Sequence, residues 1–233
     1  MKKIAILQSN YIPWKGYFDM IAAVDEFIFY DEMQYTKCDW RNRNKIKTQK
    51  GLTWMSIPVN SKGHLTNKLR IMDAEISNST WANTHWSLLK QVYGKTPGFK
   101  LYKDLFGALY EECATETYLC NVNYKFIRAI NDILGIKTKL SFSQDYGIIE
   151  GKTERLVDLV QKAGGTEYLS GPAAKDYIDS KLFDMAGIKL SWMDYSGYPE
   201  YPQAFPPFEH GVTILDLIFN CGTEAPKYMK EIK

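Results

Sequence analysis

The first thirty residues constrain the fold most. Ile4-Ala5-Ile6-Leu7 is a short apolar run that reads as a buried strand. Gln8 to Pro13 is polar at its start and turn-like, and Tyr17 to Val24 then puts Phe18, Ile21 and Ala22 on one helical face. Phe27-Ile28-Phe29-Tyr30 is a second strand, ended by Asp31. Strand, loop, helix and strand in so short a span form a βαβ unit, with parallel strands and a right-handed crossover. A chain that opens this way builds a layered α/β sheet, not a bundle or a sandwich.

The same rhythm returns late in the chain. Strands are expected at 139–143, 168–170 and 188–192. A helix capped by Thr153 runs to Ala163, and 173–185 is helical or broken-helical. Between the two α/β parts lies a helical stretch. Trp81, Leu88, Leu89 and Val92 recur at helical spacing, 101–113 forms a second helix, and 118–134 a third that Gly135 closes. Residues 32–50 read as a long polar, basic and aromatic loop. Leu52 to Val59 reads as a strand broken by Pro58, with 66–76 as its partner. Residues 212–219 and 224–230 are the last helices. The expected architecture is α/β: one domain over 1–233 with an open, mostly parallel, Rossmann-like sheet. Residues 1–60 and 139–195 share that sheet, 80–135 is a helical insert, and helices finish the chain. The loops at 8–17, 31–44, 143–153 and 170–177 then gather at the carboxyl edge, where such sheets bind ligands.

Composition excludes some functions. A net charge of +2 gives no global attraction to nucleic acid or anionic membrane. No apolar run approaches the roughly 18 residues of a membrane span. Cys38, Cys113, Cys120 and Cys221 are scattered without a CxxC pair, so neither a zinc site nor a disulfide framework is expected, and no metal is assigned. The start, Met1-Lys2-Lys3-Ile4, is too short in apolar residues for a signal sequence, which implies a reducing, cytoplasmic setting. The 16 tyrosines and 6 tryptophans suit either a tyrosine-rich core or pockets for sugars and planar rings.

Four segments and two kinds of side chain are candidates for chemistry. The loop after the first strand carries Gln8, Asn10, Tyr11, Trp14 and Tyr17. It enters a helix whose N-terminus suits an anion, and Lys15-Gly16-Tyr17 lies where a nucleotidyltransferase-like fold has the x-G-H of its HxGH loop, with both histidines missing. Asp31, Gln34, Trp40, Arg41, Asn42, Arg43 and Asn44 cluster in the second loop. Arginine forks suit phosphate, amides suit sugar hydroxyls, and aromatic rings among arginines suit a single-stranded nucleic acid. Gly147 to Thr153 resembles a P-loop but has three residues between its glycines instead of four, which leaves Lys152 and Thr153 as a helix start near an anion. The segment from Ser170 to Tyr177 follows a strand and can place Ser170, Lys175 or Tyr177 at the ligand edge, although a Ser before Gly-Pro is more often a turn residue than a nucleophile. His85, one turn after Trp81, is either a core histidine or a general base in a cleft. His64 sits in a polar loop without a role, and His210 is placed as a helix cap. Cys221 lies between two helices, where it is either a simply buried thiol, the commoner case, or a nucleophile with a lowered pKa.

Several stretches together resemble the WbqC-like family. They are Ile4 to Phe18, Asp39-Trp40-Arg41-Asn42-Arg43-Asn44, Trp81 with His85, Thr153-Glu154-Arg155-Leu156, Tyr168-Leu169-Ser170-Gly171-Pro172 and Leu217-Ile218-Phe219-Asn220-Cys221-Gly222. They occur in order across the whole chain. Ser9 departs from an expected Gln-Pro-Asn, and Leu7 stands where His is common. The resemblance implies an accessory enzyme of bacterial surface-polysaccharide (O-antigen) sugar biosynthesis. Its reaction would transfer an acyl or aminoacyl group to the amine of a nucleotide-linked amino sugar. The donor would be CoA, a carrier-protein thioester or an acyl-adenylate. In that reading His85 takes the amine proton, Arg41 and Arg43 hold phosphate, and Gln8, Asn10 and Tyr11 hold sugar or donor. The alternatives are a non-catalytic sugar- or carrier-protein-binding component of a biosynthetic complex and a single-stranded nucleic-acid binder, the latter disfavoured by the charge balance.

Overall fold

The computed structural model describes residues 1–63 and 68–232. The expectations for His64 and for the first residues of 66–76 lie outside the described residues.

Alternation within the first strand builds two layers. In β1 (Lys3–Leu7), Ile4 and Ile6 pack into one apolar cluster while Ala5 joins another. Helix α1 (Lys15–Ala22) covers the Ala5 side through Phe18 and Ile21 and leads into β2 (Glu26–Phe29). The chain then leaves the sheet. It forms a hairpin of β3 (Arg43–Thr48) and β4 (Gly51–Ser56), then helices α2 (Thr80–Tyr93), α3 (Pro97–Cys113) and α4 (Leu119–Leu134). It returns as β5 (Lys139–Phe142), α5 (Thr153–Lys162), β6 (Glu167–Ser170), α6 (Ser180–Met185) and β7 (Lys189–Trp192), and ends with α7 (Ile214–Cys221) and a 3-10 segment over Gly222–Tyr228.

The main sheet has five strands in the order β5-β2-β1-β6-β7, every neighbour parallel. The winding runs outward from β1 in one direction through β2 and β5, and in the other through β6 and β7. It therefore reverses between β1 and β6, and a crevice opens there beyond the strand ends. Leu156, Val160 and Phe183 of α5 and α6 cover the Ile4 face, and α1, α2, α3, α4 and α7 contribute to the Ala5 face. Charges pin the amino edge. Glu26 at the start of β2 meets Lys2 at 2.7 Å and Lys139 at 3.1 Å, and Glu167 at the start of β6 meets Lys3 at 3.5 Å and Lys189 at 3.4 Å. Burial pushes the Glu26 carboxyl up, but hydrogen bonds from Lys2, Ser141, Tyr146 and Lys139 outweigh it and hold the group at about 2.

Two expectations are corrected. The long loop expected over 32–50 contains a strand, because β3 pairs antiparallel with β4 from Arg43↔Ser56 to Thr48↔Gly51. This hairpin also lies outside the main sheet, so residues 1–60 do not all share it. It packs on the core through Ile46 and Met55. Downstream, Val59 and Ile76 form a single antiparallel bridge in place of a paired strand.

Helix ends divide similarly. Gly135 sits at φ +74 and closes α4 with its N–H on the last turn, as a left-handed glycine does. Thr153 is no cap: it is the first residue of α5, and its hydroxyl accepts the Asp179 N–H at 3.1 Å. Nor does His210 cap α7, since Thr213 does so by accepting the Leu215 N–H.

Candidate functional site

The crevice between β1 and β6 is a cavity of about 440 Å³. Four strand-end segments contribute to it: Gln8 after β1, Tyr30 and Met33 after β2, Lys152 and Arg155 at the start of α5, and Ser170 at the end of β6 with Tyr177 beyond it. Its floor is apolar, from Ile6, Leu7 and Leu156. Arg155 Nη1 makes a long hydrogen bond, 3.7 Å, to the Met33 thioether, and its Nε has no partner. Among the described residues it pairs with no carboxylate. A guanidinium left in this state beside an apolar floor is set to receive an anion. The Tyr30 hydroxyl, in a side chain only 6% exposed, also lacks a partner in ordinary hydrogen-bond geometry. Burial raises its pKa while Arg155 pulls it down. Lys152 stands exposed at the same helix start, where its own N–H donates to the Glu154 carboxylate at 3.0 Å.

Beside this cavity the loop after β1 is locked. Ile12 adopts φ +37, a strained value for a β-branched residue. Its carbonyl accepts from Asn44 Nδ2 at 3.0 Å and Thr213 Oγ1 at 2.6 Å. Arg41 spans the loop, donating to the Gln8 side chain at 3.2 Å and to the Asn10 side-chain oxygen. Asp31 is buried and accepts the Ser9 N–H at 2.8 Å. Burial pushes its pKa up, against the pull of Ser9 and Arg41. On the far side, Asn10, Pro13, Trp14, Trp40, Asn44 and Gly211 line a second cavity of about 220 Å³.

The structure thus brings Gln8, Lys152, Ser170 and Tyr177 to the first cavity, and Asn10, Trp14, Trp40 and Asn44 to the second. Other expected ligand contacts are turned to structural use. Tyr11 is fully buried, Tyr17 donates to the Gln8 carbonyl at 3.0 Å, and Asn42 donates to the Ile57 carbonyl at 2.8 Å. Gln34 forms a backbone bridge with Arg70, and Lys175 lies 5.6 Å over the Trp192 ring. Arg43 rests over Trp54 at 4.1 Å, outside the first cavity. The start of α1 is no open anion site: Lys15, Gly16 and Tyr17 are buried, and the Trp14 indole covers Gly16.

His85 lines neither of these cavities. It is 5% exposed, its Nδ1 lies 2.9 Å from the Tyr11 hydroxyl, and that hydroxyl lies 2.9 Å from Tyr110. Burial lowers its pKa to about 4, against a backbone hydrogen bond to Ser56. It is therefore buried among Tyr11, Trp81 and Tyr110, away from both cavities described above. Cys221 ends α7, and burial pushes its thiol up to about 12, the reverse of the lowering expected for a nucleophile. Sequence reasoning overlooked Tyr30, Met33 and Arg155 as site residues. Arg155 carried one signal, its place in the first turn of a helix leaving a predicted strand end.

Together these features define an α/β protein whose main sheet is all-parallel, with a crevice at that sheet's carboxyl edge. The chain belongs to the WbqC-like protein family, whose model matches residues 8–228. It is 50% identical, over 230 residues, to the uncharacterized protein Rv1507c of Mycobacterium tuberculosis, covering 99% of this chain and 98% of that one. No solved structure matches it. Among the described residues, no helix is long and apolar enough to cross a membrane, and no three His, Cys, Asp or Glu side chains are grouped to hold a metal ion.

Proposed function

We propose that this protein acts in bacterial surface-polysaccharide (O-antigen) sugar biosynthesis. It transfers an acyl or aminoacyl group to the amine of a nucleotide-linked amino sugar held in the carboxyl-edge cavity. The observation that carries the binding half is Arg155, a cation without a carboxylate in a crevice of about 440 Å³. That volume suits a sugar with its diphosphate. Arg155 and Lys152 take the phosphates, while Gln8, Ser170 and Tyr177 offer polar contacts to hydroxyls. In the reaction the sugar amine attacks the acyl carbon and a C–N bond forms. The C–S bond of a CoA or carrier-protein thioester, or the C–O bond of an acyl-adenylate, breaks. The leaving group takes the electron pair, and the amine proton passes to it or to water.

A second reading rests on a different observation. Among the described residues, no His, Cys, Asp or Glu lines this cavity, so they offer it no obvious proton acceptor. That favours a sugar-binding component that presents its ligand to another protein. Incubation with UDP- or dTDP-linked amino sugars and acyl-CoA, or with ATP and a carboxylic acid, separates the two by mass spectrometry. An acyl mass added to the sugar supports catalysis. Saturable sugar binding without that product supports the second reading, and no binding refutes both.

A further inference from the structure

The second cavity opens onto the outer face of the β3–β4 hairpin, where two indoles stand in solvent. Trp40 is 43% and Trp54 44% exposed, and their rings lie 5.6 Å apart at a 39° tilt. Arg43 lies 4.1 Å over Trp54, and Lys45 lies 5.7 Å from Trp40 and 5.3 Å from Trp54. Among the described residues, neither cation pairs with a carboxylate. Residues 37–54 hold six lysines and arginines against one aspartate, in a chain whose net charge is only +2. Large aromatic surface is costly to leave in water, and the cost is accepted here beside positive charge that no carboxylate neutralises, although Arg43 also donates to the Cys38 carbonyl. The Ile12 loop that shapes the cavity is held in its strained state by Asn44 of the hairpin. Hairpin and cavity are thus one rigid unit.

We infer that this unit is a nucleotide site, distinct from the carboxyl-edge cavity. A planar base stacks on Trp40 at the cavity mouth, and its phosphates run along the hairpin against Arg43 and Lys45. Stacking on an indole flanked by cations is the chemistry that recognises a base together with a phosphate. A cavity of about 220 Å³ has room for the base, and the open hairpin leaves the rest of the ligand unconfined. The ligand class is therefore a base-and-phosphate head on a longer molecule: CoA, an adenylate, or the end of a single-stranded nucleic acid. Arg41 joins the two sites, since Gln8 lines one cavity and Asn10 the other and it donates to both. If the proposed function holds, this ligand carries the acyl group. That assignment rests on the proposed function, whereas the site itself does not.

Tryptophan fluorescence tests the site. CoA, ATP and a short oligoribonucleotide, with a UDP-linked amino sugar for comparison, are titrated separately into the wild type, Trp40→Ala and Arg43→Gln. At least one should quench the wild type saturably, with affinity falling at least tenfold in both variants, and the tightest of the three identifies the source. Arg155→Ala should leave this quenching unchanged, so a failed sugar site does not appear as a failed nucleotide site. Melting curves on all variants separate lost binding from lost folding. No quenching by any of the three, or equal affinity in properly folded Trp40→Ala, would overturn the inference. So would quenching by a nucleotide sugar alone that vanishes in Trp40→Ala, because the two sites would then be one.

Discussion

At the scale of single residues, His85 is a candidate proton acceptor that the fold buries in an aromatic cluster. Its place one turn after Trp81 was legible, but Tyr11, its partner, is 74 positions away and no local pattern joins them. Its consequence is a pH-dependent stability. The folded pKa of about 4 lies below the ordinary 6.5, so between those values the unfolded chain binds more protons. Stability from this group is complete above pH 6.5 and is lost as pH falls toward 4, by on the order of 3 kcal/mol. His85→Gln should lower the melting temperature, with a cost of about 1–3 kcal/mol for the broken buried hydrogen bond, and should flatten that acid-side loss. Melting curves from pH 4 to 7.5 on both proteins check this. An unchanged melting point with abolished turnover would return His85 to the chemistry.

At the scale of elements, packing constraints decide which patterns could be read. The unit of β1, α1 and β2 and the Gly135 stop were visible because their apolar spacing and terminating residues agree. The hairpin was hidden because β3 buries Asn44 and Lys47 beside Ile46, which blurs the alternation of a half-buried strand. Thr153 was misread because a threonine before an apolar run looks the same whether it caps its own helix or receives an N–H from another segment. The contact between α3 and α7 could not be read at all. There a Cβ added to Gly98 would lie 2.1 Å from the Ile218 carbonyl oxygen. Gly98→Ala should therefore force the two helices apart and destabilise the protein by about 1–3 kcal/mol. Urea denaturation measures this, and a variant as stable as the wild type would show that the helices slide without cost.

At the scale of the whole molecule, the chain's rhythm implied the parallel sheet, and with it the edge where loops would meet. Residues from the four strand-end segments do line one cavity there. Which side chains would face it was less legible. Loop residues rich in polar groups, such as Tyr11 and Asn42, are consumed by the loop's own architecture, while Tyr30 and Arg155 came from strand and helix ends that look ordinary in sequence. On the function proposed above, Arg155 in this crevice holds the phosphates of a nucleotide sugar. Titration calorimetry with UDP- and dTDP-linked amino sugars, on the wild type and Arg155→Ala, tests it most directly. Loss of a charge-assisted hydrogen bond of about 1.5–3 kcal/mol predicts roughly 10- to 100-fold weaker binding in the variant, at an unchanged melting temperature. Equal affinity in the two proteins, or no binding heat in the wild type, would contradict the account.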